Sequence, residues 1–150
     1  MTVAESSLAQ FQTDIDKWMA ENVPKNPGFL LPLTFLEVGT EQQLDFLRDW
    51  QHKLWQAGFL GMHWPTEYGG QGADPAYQGL VDKALTAHNA PIIFNTIGLN
   101  WTGPLLLDMG TEDDRKRYIK NILTGDDIWC QGFSEPDHGS DLGNVQTRAV

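Results

Sequence analysis

Apolar residues recur at intervals of three and four through most of this chain, the spacing that lines one face of an α-helix. In the first such run Leu8, Phe11, Ile15, Trp18 and Met19 share a face that excludes Asp14, Asp16 and Lys17. The pattern predicts an amphipathic helix that ends before Pro24 and Pro27-Gly28. Thr40 with Gln43 three positions later has the form of a capping box, opening a second helix with Leu44, Leu47, Trp50 and Leu54 inward and Gly58 as its stop. Five glycines and Pro65 between Gly58 and Asp74 exclude a long helix there and predict a loop. Asp74-Pro75 supplies an N-cap and a proline at the first helical position, starting a third helix with Leu80, Val81, Ala84 and Leu85 inward. Pro91 to Met109 is apolar but interrupted at Gly98 and Gly103-Pro104. Two helical pieces with a break near Thr102 are expected, in what should be the most buried segment of the chain. Thr111 with Asp114 opens a last helix, whose inner face is Tyr118, Ile119, Ile122 and Leu123 and whose terminator is Gly125.

Beyond Gly125 the pattern changes. Ile128 to Phe133 and Val145 to Val150 have strand character, and the residues between them are rich in turn formers. Two short strands are marginal without further strands or a covering element. The expectation is therefore a mainly α chain, with residues 1–125 forming an all-helical domain and 126–150 the incomplete opening of a β domain. No internal repeat or low-complexity tract is evident.

Charge narrows the partners. Ten Lys and Arg against 20 Asp and Glu give a net charge of −10, and Arg115, Lys116, Arg117 and Lys120 are gathered in one short stretch. Such a chain is repelled by a phosphate backbone, which argues against nucleic acid. The one cysteine, Cys130, cannot form an internal disulfide. No apolar run approaches the ~20 residues that span a bilayer. The first seven residues show neither the basic and apolar regions of a signal peptide nor the arginines of a transit peptide, so a cytoplasmic location is expected.

The densest chemistry lies in Ser134-Glu135-Pro136-Asp137-His138-Gly139-Ser140-Asp141. A turn built around Pro and Gly leaves main-chain N–H groups unpaired, and together with the hydroxyls these can face an anion such as a diphosphate. An ordinary surface turn stabilised by its own Asp and Ser side chains is the competing reading. Ser140, His138 and Asp141 are too close along one loop to assemble a nucleophile, base and orienter, and no Gly-x-Ser-x-Gly elbow is present. His52, His63, His88 and His138 lack metal-binding spacing. Gly69-Gly70-Gln71-Gly72 precedes a helix but has no preceding strand and no Lys-Ser/Thr, so it reads as a turn rather than a phosphate loop.

Three segments in order, Trp64-Pro65-Thr66-Glu67-Tyr68-Gly69-Gly70-Gln71-Gly72, then Met109 to Tyr118, then Cys130 to Asp141 with its Ser-Glu-Pro-x-x-Gly-Ser-Asp pattern, resemble the acyl-CoA dehydrogenase family. The resemblance runs from about residue 40 to the end. It implies a helical N-terminal domain, a middle β-barrel domain beginning near Asp126 and a C-terminal helical bundle, with FAD and an acyl-CoA thioester between them. By the same resemblance Gln131, Gly132, Phe133 and Ser134 run along the isoalloxazine. Gly139 and Ser140 lie by the flavin diphosphate, Ser140 also meets the CoA ester, and Glu135 and Asp141 are structural. Asp137-His138 departs from the small residues usual there. The implied reaction is α,β-dehydrogenation of a CoA thioester in fatty acid or lipid catabolism, with an electron-transfer flavoprotein as acceptor and a homo- or hetero-oligomeric assembly. The family's general base lies in later sequence, so no catalytic residue is assigned. Ile92, Phe94, Ile97, Leu99 and Trp101 are read as acyl-pocket or core residues. The alternative is a non-catalytic dehydrogenase-like module that docks on an active flavoprotein partner.

Overall fold

The helices predicted from periodicity form where the capping chemistry starts them. In the computed structural model, which describes residues 7–25, 27–148 and 150, the element order is α1 (Leu8–Asn22), α2 (Glu41–Gln56), α3 (Ala76–Ala87), α4 (Gly103–Met109) and α5 (Glu112–Thr124). Short 3-10 turns lie at Phe35–Glu37, Thr66–Tyr68 and Leu142–Asn144, and a π turn at Gly98–Thr102 runs into α4. Thr40 accepts the Gln43 N–H and caps α2, while the Gln43 side chain reaches back one residue further than a capping box requires, to the Gly39 N–H. α3 starts one residue later than expected, with Pro75 rather than Asp74 at the N-cap position, and Asp74 accepts the Ala76 N–H. Thr111 and Asp114 make the full reciprocal box, and Gly125 closes α5 in the left-handed conformation at φ 85°.

The core gathers Phe11, Ile15 and Met19 of α1, Trp50 and Leu54 of α2, Val81 and Ala84 of α3, and Ile119, Ile122 and Leu123 of α5. α1 lies against α3, and α2 and α4 lie against α5. The glycine-rich stretch between α2 and α3 folds into a knot of main-chain bonds, with Gln71 donating to the Gly61 carbonyl, Gly72 to Trp64 and Ala73 to Met62. That knot inserts Met62 and Trp64 into the core. Its glycines serve turns and close approaches, and the phosphate-loop reading finds no support.

Two expectations about the 91–109 segment are corrected. The backbone does not break at Thr102: a π turn, with the Gly103 N–H donating to the Gly98 carbonyl, carries it helically into α4, whose second residue is Pro104. Nor is the segment the most buried. Trp101, Leu105 and Met109, spaced four apart, share a face covered by no described element, and Trp101 is 54% exposed. Phe94 and Asn95 are the segment's large buried side chains, beside the buried Pro91, Gly98 and Gly103.

The C-terminal expectation also changes. No strand forms among the described residues, whether over 128–133 or over 145–150, of which Ala149 lies outside the described residues. A strand exists only by its ladder, and residues 130–134 make no hydrogen bond to any described residue. The loop between them is tied to the second by one side chain: the Glu135 carboxylate accepts the N–H groups of Gln146 and Thr147 and the Thr147 hydroxyl.

Candidate functional site

The candidate loop is positioned by the way the chain leaves α5. The last carbonyls of any α-helix lack intrahelical partners. Here two buried carboxamides supply them. Gln51 donates to the carbonyls of Ile122 (2.9 Å) and Leu123 (3.0 Å), and Asn95 donates to Ile122 (3.0 Å) and to Asp127 beyond the helix end (2.9 Å). The Asn95 carbonyl oxygen accepts the Trp129 N–H at 3.2 Å. Asn121 and Thr124 add bonds to the Asp127 and Asp126 carboxylates. The Trp129 indole then stands edge-on to Tyr118, with ring centroids 5.4 Å apart. Periodicity did not single out this network. Its one sequence signal is position: Gln51 shares the inward face of Leu47 and Leu54, and Asn95 interrupts the apolar run after Pro91.

After Trp129 the chain is free of such ties. Gln131, Gly132, Phe133 and Ser134 are all exposed, as are Gly139 and Ser140, and their main-chain N–H groups donate to no described residue. Between them, Glu135 and His138 exchange main-chain bonds of 3.0 and 3.2 Å, so Ser134 and Gly139 flank the base of one turn. A Cβ placed on Gly132 or Gly139 would meet nothing within 4 Å. The Glu135 carboxyl is held below the usual carboxylate range, first by the Thr147 hydroxyl and then by the two N–H groups it accepts. Asp141 accepts the Asn144 side-chain amide at 2.6 Å. Both carboxylates are thus engaged by their own loop, while Asp137 is exposed.

This donor set fits a ligand rich in acceptor oxygens. Open N–H groups and the hydroxyls of Ser134 and Ser140 can donate to acceptor oxygens such as those of a flavin's polar edge and diphosphate, with the Glu135 and Asp141 carboxylates turned to their own loop and Asp137 exposed in the same turn. Among the described residues no group of His, Cys, Asp or Glu is arranged to hold a metal ion, and no helix is long and apolar enough to cross a membrane.

Of the residues read as acyl pocket or core, Phe94 is buried, Ile92, Ile97 and Leu99 are half-buried and Trp101 faces outward. Leu99 lines a cleft of about 280 Å³ together with Leu60, Trp64, Ile93, Gln78 and Asn100. The basic stretch of α5 is spent locally: Lys116 pairs with Glu112 at 3.1 Å, the Arg115 Nε donates to the Leu106 carbonyl and Arg117 covers the Tyr118 ring.

The helical unit is of a known class. Residues 32–126 match the family model described as acyl-CoA dehydrogenase, N-terminal domain. Acyl-CoA dehydrogenase IpdE1 of Mycolicibacterium smegmatis is 35% identical over 143 residues, 95% of this chain and 36% of that protein. FadE34 of Mycobacterium tuberculosis is 41% identical over 100 residues, covering 67% of this chain and 14% of its own length. A solved structure titled Tcur3481-Tcur3483 steroid ACAD superposes with a TM-score of 0.69 at 30% identity, over 94% of this chain and 35% of that one. The chain belongs to the acyl-CoA dehydrogenase family, whose members are flavoproteins of the oxidoreductase class. It spans about a third of the length of IpdE1 and of the steroid ACAD chain.

Proposed function

We propose that this chain is the N-terminal portion of an FAD-dependent acyl-CoA dehydrogenase acting in lipid catabolism, which introduces an α,β double bond into a CoA thioester and passes electrons to an electron-transfer flavoprotein. The observation that carries this reading is the open loop 131–141, which follows directly on the family-matched helical unit. Gln131 to Ser134 line the isoalloxazine, with the Ser134 hydroxyl and neighbouring N–H groups on its polar edge. Gly139 and Ser140 bring main chain to the diphosphate, and Ser140 also meets the CoA ester. When bound, FAD supplies the hydride acceptor. The helical unit acts as a rigid wall that fixes the thioester's orientation, and orientation is a large part of the rate such a site can give. Residues 126–150 open the middle β-barrel domain and gain their ladder partners from sequence beyond these residues, which also carries the general base.

The acyl end of the thioester is assigned to the cleft lined by Leu60, Trp64, Ile93 and Leu99, where Gln78 and Asn100 add hydrogen-bonding groups. Apolar walls with several polar groups, His63, Asp82 and Thr96 among them, suit a ring-bearing acyl group with oxygen substituents better than a plain chain, in keeping with the steroid ACAD among the similar structures. A panel of straight-chain and polycyclic acyl-CoA esters tests this: kcat/KM should be higher for the polycyclic esters, and a preference for straight chains contradicts the assignment.

The cofactor assignment is tested on the complete polypeptide. It should purify yellow, and Gly139→Val and Ser140→Ala should lose flavin, the valine more severely because its branched side chain blocks close main-chain approach. Unchanged flavin content in both removes the site. A second reading, a non-catalytic subunit docked on an active flavoprotein, draws support from the two-component title of the steroid ACAD structure. Colourless protein that becomes active only with a partner chain distinguishes it.

A further inference from the structure

We infer that Asn95 is a positioning residue for the flavin-facing segment, a role that rests on the function proposed above and deepens it. Asn95 is 1% exposed and reaches across 34 positions of sequence to the Trp129 N–H, two residues before Gln131. Its amide donates both hydrogens, to Ile122 and Asp127, and its own main-chain N–H faces the Gln51 oxygen at 3.4 Å. Gln51, fully buried, spends both amide hydrogens on the same helix end. The carboxamides together tie α2, the 91–97 segment and the end of α5 to the start of the exposed strip. A buried, fully paired polar network specifies one arrangement where apolar packing tolerates several.

Beyond Trp129 no described residue holds residues 130–134. Trp129 is therefore the last anchored point before the strip, and the direction in which 131–134 emerges is set by the Asn95 oxygen. The geometry around Asn95 is made possible by Gly98: a Cβ there would lie 2.5 Å from the Asn95 Oδ1. Shifting the carboxamide tilts the strip relative to the flavin edge without altering any residue that touches flavin.

Two variants of the complete polypeptide separate this role from plain stability. Asn95→Asp keeps the shape and replaces the two donors with an oxygen that faces the Ile122 and Asp127 carbonyls, while Gly98→Ala keeps the carboxamide and displaces it. Ile15→Ala, in the α1 face of the core and outside the network, serves as the destabilised control. Both variants should weaken FAD binding, Gly98→Ala by about tenfold, the factor carried by one buried hydrogen bond, and Asn95→Asp, which loses two, by more. Both should also shift the visible flavin bands and the flavin reduction potential, whereas Ile15→Ala should lower the melting temperature and leave spectrum and potential in place. If Asn95→Asp does not fold, Gly98→Ala decides alone. Wild-type flavin affinity, spectrum and potential in the variants, with only their melting temperature lowered, overturn the assignment of Asn95 and leave the proposed function standing. A wild-type polypeptide that binds no FAD overturns both.

Discussion

Gly103 sets helix propensity against packing, and the two effects can be separated by one substitution. The residue lies in right-handed helical conformation, φ −60° and ψ −51°, where alanine is favoured over glycine by about 1 kcal/mol. A Cβ at this position, however, would sit 2.2 Å from Trp64 Cη2, 2.7 Å from Cζ2 and 3.0 Å from the Gly98 carbonyl oxygen. Ordinary carbon contacts are about 3.5–4.0 Å, so the indole must retreat by more than about 1 Å. It has little room to do so. Trp64 is 3% exposed, and its main chain is fastened to Gly61 and Gly72. Overpacking of this kind costs about 1–3 kcal/mol, and so large an overlap belongs near the upper end. Gly103→Ala should therefore destabilise the chain by about 2 kcal/mol net of its propensity gain. Gly79 in α3 provides the opposite case: it is exposed, and a Cβ there meets nothing within 4 Å, so Gly79→Ala should stabilise by about 0.5–1 kcal/mol. Urea titration of both variants, followed by far-ultraviolet circular dichroism, reads the two signs. A Gly103→Ala chain as stable as wild type refutes the close contact with Trp64.

Two further perturbations follow from the helix caps and the candidate loop. Thr111→Ala removes both the acceptor for the Asp114 N–H and the hydroxyl donor to its carboxylate, and should cost about 1 kcal/mol in the same titration. The closure made by Glu135 should be present above the ordinary glutamate pKa and fade as pH falls through its lowered value, because protonation removes the charge and turns one accepting oxygen into a donor. Amide exchange at Gln146 and Thr147, protected at neutral pH and released in acid below the usual glutamate range, checks the sign; protection that is unchanged in acid contradicts it.

The helical domain was legible in the sequence because its signals are local. A capping threonine with its partner three residues on, an apolar stripe and a terminal glycine each act within a turn or two, and α2 and α5 start and stop accordingly. What local pattern could not supply was the outcome at 91–109. Hydrophobicity alone does not say which face finds a partner, and the π turn places Trp101, Leu105 and Met109 on the side no described element covers. The strand character of 128–133 and 145–150 met the same limit from the other direction, since a ladder needs partners that these residues do not provide for each other. The Ser134 to Asp141 loop was visible as a motif. Its anchor was not, because Gln51 and Asn95 reach Ile122, Asp127 and Trp129 over long stretches of chain, and a lone amide in an apolar run gives no hint of what it will meet.

The central claim is that residues 131–140 face a flavin. A crystal structure of the complete polypeptide with FAD bound tests it most directly. The main chain of Gln131 to Ser134 should lie along the isoalloxazine, and the Gly139 and Ser140 N–H groups within hydrogen-bond distance of the diphosphate. A flavin bound elsewhere, with this loop left in solvent, contradicts it.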